Sequence, residues 1–257
     1  MFLTRFRINT ARPGSRRLLA SPQALHAAVM SSFPTLLPTD GPGTDGQRVL
    51  WRLDQNARAE VMLFVVSPDR PDLTHLVEQA GWPAVATSDS PGWQTRPYAP
   101  LLDRLAKGER WSFRLTANPV HHIRRTSDEP RKRTAHLTPI HQMGWLLDPD
   151  RQERAGFRVL EKPDDKRLLP AGTTHTKHPH HGDRYELTVR DHRALAFDKS
   201  RDAGASRKRP VSLVTVTFDG RLEVTDPAAM RRTLTGGLGK AKAYGCGLMT
   251  LAPLPPE

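Results

Sequence analysis

The chain has 257 residues, 37% of them hydrophobic, one cysteine, and 39 Lys and Arg against 27 Asp and Glu, for a formal net charge of +12. That length suits one large domain or two small ones and can bury a core without disulfide staples. The lone Cys246 excludes an internal disulfide and fits a reducing cytoplasm. The opening Met1 to Arg7 is neither a signal peptide nor a membrane span, and no later stretch is apolar enough to cross a bilayer.

Residues 2–8 alternate, with Phe2, Thr4, Phe6 and Ile8 on one side, which predicts a strand. Ser21 followed by Pro22 is an N-cap with proline at the first helical position. The helix it opens carries Leu25, Ala28, Val29, Ser32 and Phe33 on one stripe and stops before Pro34. A Pro- and Gly-rich loop spans 38–46. Strands are expected over 48–53 and 60–66, a short helix over 72–80 and a short strand near Ala84. The order βαββαβ is the ferredoxin-like arrangement and bounds a first domain at residues 1–90. Pro91, Gly92, Pro97 and Pro100 mark residues 88–100 as a linker. Beyond it, strands are expected over 111–117, 157–160, 185–189 and 211–218, with a helix over 139–154. Asp219-Gly220 reads as a hairpin turn leading to a partner strand over 221–224. Asp226-Pro227 caps a last helix ending near Gly236, and a strand over 248–252 follows. The expected fold is therefore α+β, with two tandem ferredoxin-like (RRM-like) βαββαβ domains, the second at residues 101–257.

The positive charge is not evenly spread. Residues 1–90 hold nine Lys and Arg against eight Asp and Glu, whereas 91–257 hold 30 against 19. A basic part beside a neutral part points to docking on a polyanion. Basic clusters fall at Arg124-Arg125, Arg131-Lys132-Arg133 and Arg207-Lys208-Arg209, each between predicted elements. Gly237, Gly239, Gly245 and Gly247 form two Gly-apolar-Gly pairs that bracket Lys240 and Lys242. Exposed N–H groups beside two ammonium groups can cradle a phosphodiester. The alternative is a plain turn between a helix and a strand.

His26 lies about 100° round the helix from Leu25, at the edge of the apolar face, where it is available to a ligand. An imidazole there can take or give a proton. His175, His178, His180 and His181 form a second cluster. Such density can bind a divalent transition metal, but the irregular Gly- and Pro-containing segment reads as a partly charged loop. No pair of carboxylates stands out as a catalytic constellation, and there is no Cys-x-x-Cys and no nucleophile elbow, so no metal or other cofactor is expected. Nor is there a helix-turn-helix or zinc pattern of a DNA-binding regulator.

Several runs together resemble one family: Phe2-Leu3-Thr4-Arg5, Leu25-His26, Leu50-Trp51-Arg52-Leu53, Phe113-Arg114-Leu115-Thr116-Ala117-Asn118-Pro119, and the stretch from Gly237 to Leu248. The chain resembles CasE, the CRISPR repeat-RNA endoribonuclease of type I-E Cascade systems, over nearly its whole length. The resemblance implies two ferredoxin-like domains and metal-independent cleavage of the repeat hairpin in precursor crRNA. Attack would come from the ribose 2′-hydroxyl, leaving a 2′,3′-cyclic phosphate and a 5′-hydroxyl. It implies partners, too: the crRNA hairpin and other Cascade subunits, in the cytoplasm, with no membrane. His26 matches the family's active histidine. The family often has a tyrosine three residues earlier, where this chain has Gln23. That departure motivates an alternative: a catalytically weak subunit that only holds the RNA hairpin. RNA contacts are expected from Gly237, Gly239, Lys240, Lys242, Gly245, Gly247, Arg131, Lys132 and Arg133, with the glycine loop acting from the second domain and His26 from the first.

Overall fold

The computed structural model describes residues 1–34, 48–57, 60–87, 90–123, 132–169, 181–198 and 210–254. They form two compact units: Met1–Arg104 with Leu234–Leu248, and Leu105–Thr233 with Met249–Glu257.

In the first unit, β1 (Phe2–Ile8) buries Thr4, Phe6 and Ile8 and exposes Arg5 and Arg7, as its alternation requires. After it come α1 (Pro13–Ala20) and α2 (Pro22–Met30). Ser21 starts α2 as expected: its hydroxyl accepts from the Ala24 amide at 3.2 Å, a cap worth about 1 kcal/mol. Leu25 and Val29 carry the buried stripe into a core with Phe6, Ile8 and Leu63. The helix stops at Met30, three residues short of Phe33. Ser31 and Ser32 there donate their hydroxyls to the carbonyls of Ala27 and Ala28, the competition that makes serine a poor interior helix residue.

β2 (Leu50–Ala57) and β3 (Glu60–Ser67) follow, then α3 (Thr74–Ala80). β1 pairs antiparallel with β3, from Phe2 opposite Ser67 to Ile8 opposite Val61. The fourth strand is not near Ala84. Pro83–Val85 is a 3₁₀ turn, as suits a proline with no N–H for a ladder. β4 (Trp93–Pro97) lies instead in the segment expected as a linker. It pairs antiparallel with β1 and joins it through the Thr4 and Thr95 hydroxyls at 2.8 Å. The sheet order is β2-β3-β1-β4, and α4 (Ala99–Arg104) closes this stretch.

The second unit repeats the order. β5 (Arg110–Ala117) leads into a two-stranded ribbon, β6 (Val120–Ile123) and β7 (Lys132–Ala135). The single helix expected over 139–154 is two, α5 (Pro139–Leu147) and α6 (Pro149–Ala155). Pro149 drives Asp148 out of helical geometry (ψ 120°), and the Asp148 carboxylate then caps α6 at the Arg151 amide. β8 (Phe157–Val159), α7 (His181–Arg184) and β9 (Leu187–Asp198) come next.

β10 (Pro210–Val224) is one 15-residue strand, so Asp219-Gly220 is not a hairpin turn. Gly220 pairs with Phe113 on one side and Leu187 on the other. A Cβ there would stand 2.4 Å from the Glu186 carbonyl oxygen. The glycine marks a close backbone approach inside a sheet. α8 (Pro227–Gly236) and β11 (Met249–Ala252) complete the order, and the sheet runs β11-β5-β10-β8 with β9 also on β10. Each unit thus has the strand order of a ferredoxin-like βαββαβ fold.

Candidate active site

Gln23 and His26 lie one turn apart on α2, both partly exposed. What fixes the histidine comes from β2. Leu50, Trp51 and Arg52 are consecutive and all but fully buried, which alternation permits only where both faces of a strand are covered. Trp51 belongs to the core under α2, and its indole N–H donates to His26 Nδ1 at 3.2 Å.

The other cover is the glycine segment. The backbone is left-handed at Gly237, Gly239, Ala241, Gly245 and Gly247. The two glycine pairs close on each other, with the Leu238 amide donating to the Gly247 carbonyl at 2.9 Å. Between them Lys242–Tyr244 forms a 3₁₀ turn beside α2 and β2. β2 is an edge strand of its sheet, and the segment wraps it. A Cβ on Gly237 would stand 2.9 Å from Leu50 Cδ2, and one on Gly245 2.6 Å from Trp51 Cζ3. Arg52 grips the end of the segment: Nη1 donates to the Leu248 carbonyl at 3.0 Å. Its Nε and Nη2 meet both oxygens of buried Asp54 at 2.6 and 2.9 Å.

These contacts correct the expected cradle. The segment clusters with the first unit, alongside His26, and not with the second. Gly245 and Gly247 are buried, and they are glycines because the turn needs positive φ at both and because a Cβ would crowd Trp51 at the first and the Leu238 carbonyl at the second. Lys242 directs its ammonium to the Gly236 carbonyl at 2.6 Å, at the end of α8, while Lys240 is exposed. Sequence reading missed Trp51 as a neighbour of His26; the only signal was its place in the run Leu50-Trp51-Arg52-Leu53 before Asp54.

In the second unit, Lys132 and Arg133 are exposed on β7, opposite Ile123 and His122. Arg131 lies outside the described residues, as do Arg124, Arg125, the cluster at 207–209, and His175, His178 and His180. His181 is described and shares an open cavity of about 530 Å³ with His121, His136 and His141. The His121 and His136 rings lie 4.3 Å apart between centroids, and those of His136 and His141 5.9 Å. Burial, with further contributions from His121, His141 and Arg151, pushes His136 down to about 4. Among the described residues no three His, Cys, Asp or Glu side chains form a group that could hold a metal ion.

Two ferredoxin-like units in one chain, the first with a histidine beside a glycine-rich turn, define the architecture that the sequence resembles. A family model described as CRISPR associated protein matches residues 1–253, and the chain belongs to that family, among its CasE-type members. It is 28% identical over 254 residues to the CRISPR-associated endoribonuclease Cse3 of Thermus thermophilus, covering 98% of this chain and 100% of that protein. It is 25% identical over 215 residues to the CRISPR system Cascade subunit CasE of Escherichia coli K12, covering 80% and 89%. A solved structure of Thermus thermophilus Cse3 bound to an RNA representing a pre-cleavage complex superposes with a TM-score of 0.67 at 28% identity, over 98% of each chain. Among the described residues no helix is long and apolar enough to cross a membrane.

Proposed function

We propose that this chain is a CRISPR endoribonuclease that cuts the repeat hairpin of precursor crRNA without a metal ion and retains the product as a Cascade subunit in the cytoplasm. The observation that carries the reading is the place of His26: partly exposed on α2, beside the glycine-rich turn of the same unit. The likeness to Cse3 and CasE over most of both chains supports it, as does the excess of positive charge after residue 90.

In the reaction a bond forms from the ribose 2′-oxygen to phosphorus as the bond to the 5′-oxygen breaks. The hydroxyl proton leaves the 2′-oxygen and a proton reaches the 5′-oxygen, so no water is consumed. The products are a 2′,3′-cyclic phosphate and a 5′-hydroxyl. Holding the 2′-oxygen in line with the leaving oxygen supplies much of the rate, and His26 serves the proton movement. Lys240 with the Gly237 and Gly239 backbone would contact phosphates near the cut, and Arg131, Lys132 and Arg133 would hold the hairpin. Gly245, Gly247 and Lys242 shape the turn. Tight retention of the hairpin makes single turnover natural.

His26→Ala should slow single-turnover cleavage by about 10²-fold or more while leaving hairpin affinity nearly unchanged. Cleavage by the unaltered protein should persist in excess EDTA and stop when the scissile nucleotide is 2′-deoxy. A magnesium requirement or a 3′-hydroxyl product would refute the reading. Gln23, in place of the family's frequent tyrosine, favours the second reading, a subunit that binds the hairpin and scarcely cuts it. Tight binding without cleavage of the cognate repeat would establish that one.

A further inference from the structure

Trp51 has one polar atom, the indole N–H, and it donates to His26 Nδ1 at 3.2 Å from a ring that is 2% exposed. An indole nitrogen is a donor only. The nitrogen it meets must therefore present a lone pair, and a neutral imidazole has one such nitrogen and one N–H. The bond selects the tautomer with its proton on Nε2.

The indole is itself immobile. Its benzo edge lies where a Cβ on Gly245 would be, 2.6 Å from Cζ3 and 2.9 Å from Cη2. Gly245 has φ +79°, and the segment it belongs to is anchored by Arg52 through the Leu248 carbonyl. Trp51 is thus clamped between α2 and the glycine segment, with its donor aimed at the histidine.

We propose that Trp51 is a positioning residue for RNA cleavage: it holds the His26 ring in one orientation, as the Nε2–H tautomer, so that the neutral histidine meets the scissile phosphodiester as a hydrogen-bond donor. This rests on the reading of His26 as the catalytic histidine. It also assigns a sense to that role. A base acting through Nε2 needs a lone pair there, and the Trp51 bond leaves the lone pair on Nδ1. The glycine segment gains a second duty, since the residue with no side chain at 245 is what lets the indole sit where it does.

The test removes the N–H and keeps the ring. Two proteins serve: Trp51→Phe, and a protein with benzothienylalanine at 51, which puts sulfur where indole has N–H and preserves the shape should phenylalanine pack poorly. In protein labelled with ¹⁵N-histidine, long-range ¹H–¹⁵N spectra of His26, assigned by the signal lost in His26→Ala, should show one tautomer in the unaltered protein and a mixture in both variants. A donor on Nδ1 opposes its protonation, so His26 in the variants should take up its proton at higher pH, and the pH profile of cleavage should move with it. Single-turnover cleavage should fall about tenfold or more through lost orientation, with hairpin affinity unchanged, and Trp51→Phe should add no loss in a His26→Ala background. Variants that keep the single Nε2–H tautomer, or keep the rate and pH profile of the unaltered protein, overturn the proposal. Undiminished cleavage by His26→Ala would instead overturn the catalytic reading on which it rests, and the spectra would still decide whether Trp51 holds the ring.

Discussion

One residue, Ala241, separates Lys240 from Lys242, and the backbone gives the two lysines different work. Lys242 caps the end of α8, donating to the Gly236 carbonyl, where a cation also meets the negative end of the helix dipole. Lys240 is exposed. In titrations of the repeat hairpin, Lys240→Ala should lower the slope of log K against log salt by roughly 0.7–0.9, one phosphate contact, with an unchanged melting temperature. Lys242→Ala should do the opposite, sparing the slope while losing a charged hydrogen bond worth about 1.5–3 kcal/mol, visible as a melting temperature lower by several degrees. Equal effects of both on the slope would mean that Lys242 leaves the helix end to meet RNA. Composition and spacing make these lysines look equivalent. The difference appears only with the run of left-handed residues that aims their side chains, Ala241 among them at φ 62°.

Elements with strong local signals were legible. The alternation of β1, the Ser21-Pro22 start of α2, the strand at 110–117 and the helix after Asp226 all lie where the sequence puts them. The misreadings share a cause: a residue that punctuates locally was serving a neighbour distant in sequence. Pro91, Gly92 and Pro97 suggested a linker, yet β4 pairs with β1, some 90 residues away. Gly220 suggested a turn, yet it makes room for the backbone at Glu186. The histidine cavity was invisible for the same reason. Its rings come from β6, the residue after β7, α5 and α7, and His181 is the one member of the cluster seen in the sequence that falls among the described residues. The cavity has a measurable signature. His136 resists protonation down to about 4 against an ordinary 6.5, so between those values the unfolded chain binds more protons than the folded one. Its contribution is present above pH 6.5 and is lost as pH falls toward 4. Denaturant titrations from pH 7.5 to 4.5 should show a smaller acid loss of stability in His136→Gln than in the unaltered protein. Parallel curves would mean that His136 protonates without cost in the folded state.

At the scale of the whole molecule, the chain leaves the first unit after Arg104 and returns to it at Leu234–Leu248. The returning segment is not an accessory: it covers Leu50 and Trp51 and gives buried Arg52 its carbonyl partner. Removing one partner of such a buried charge typically costs about 3–5 kcal/mol. A ribosome makes this protein from the other end, at about 5–20 residues per second. All of Leu105–Thr233 must be synthesised before the cover for β2 exists. Nascent chains arrested with residues 1–104 outside the exit tunnel should therefore be cut by brief protease treatment around residues 48–57, and chains arrested with the whole sequence outside should resist. Equal resistance at both lengths would show that the early segment closes unaided. Otherwise the unit that emerges first stays open until Leu105–Thr233 has been made, and the histidine proposed to cut RNA gains its rigid setting only with the segment that follows.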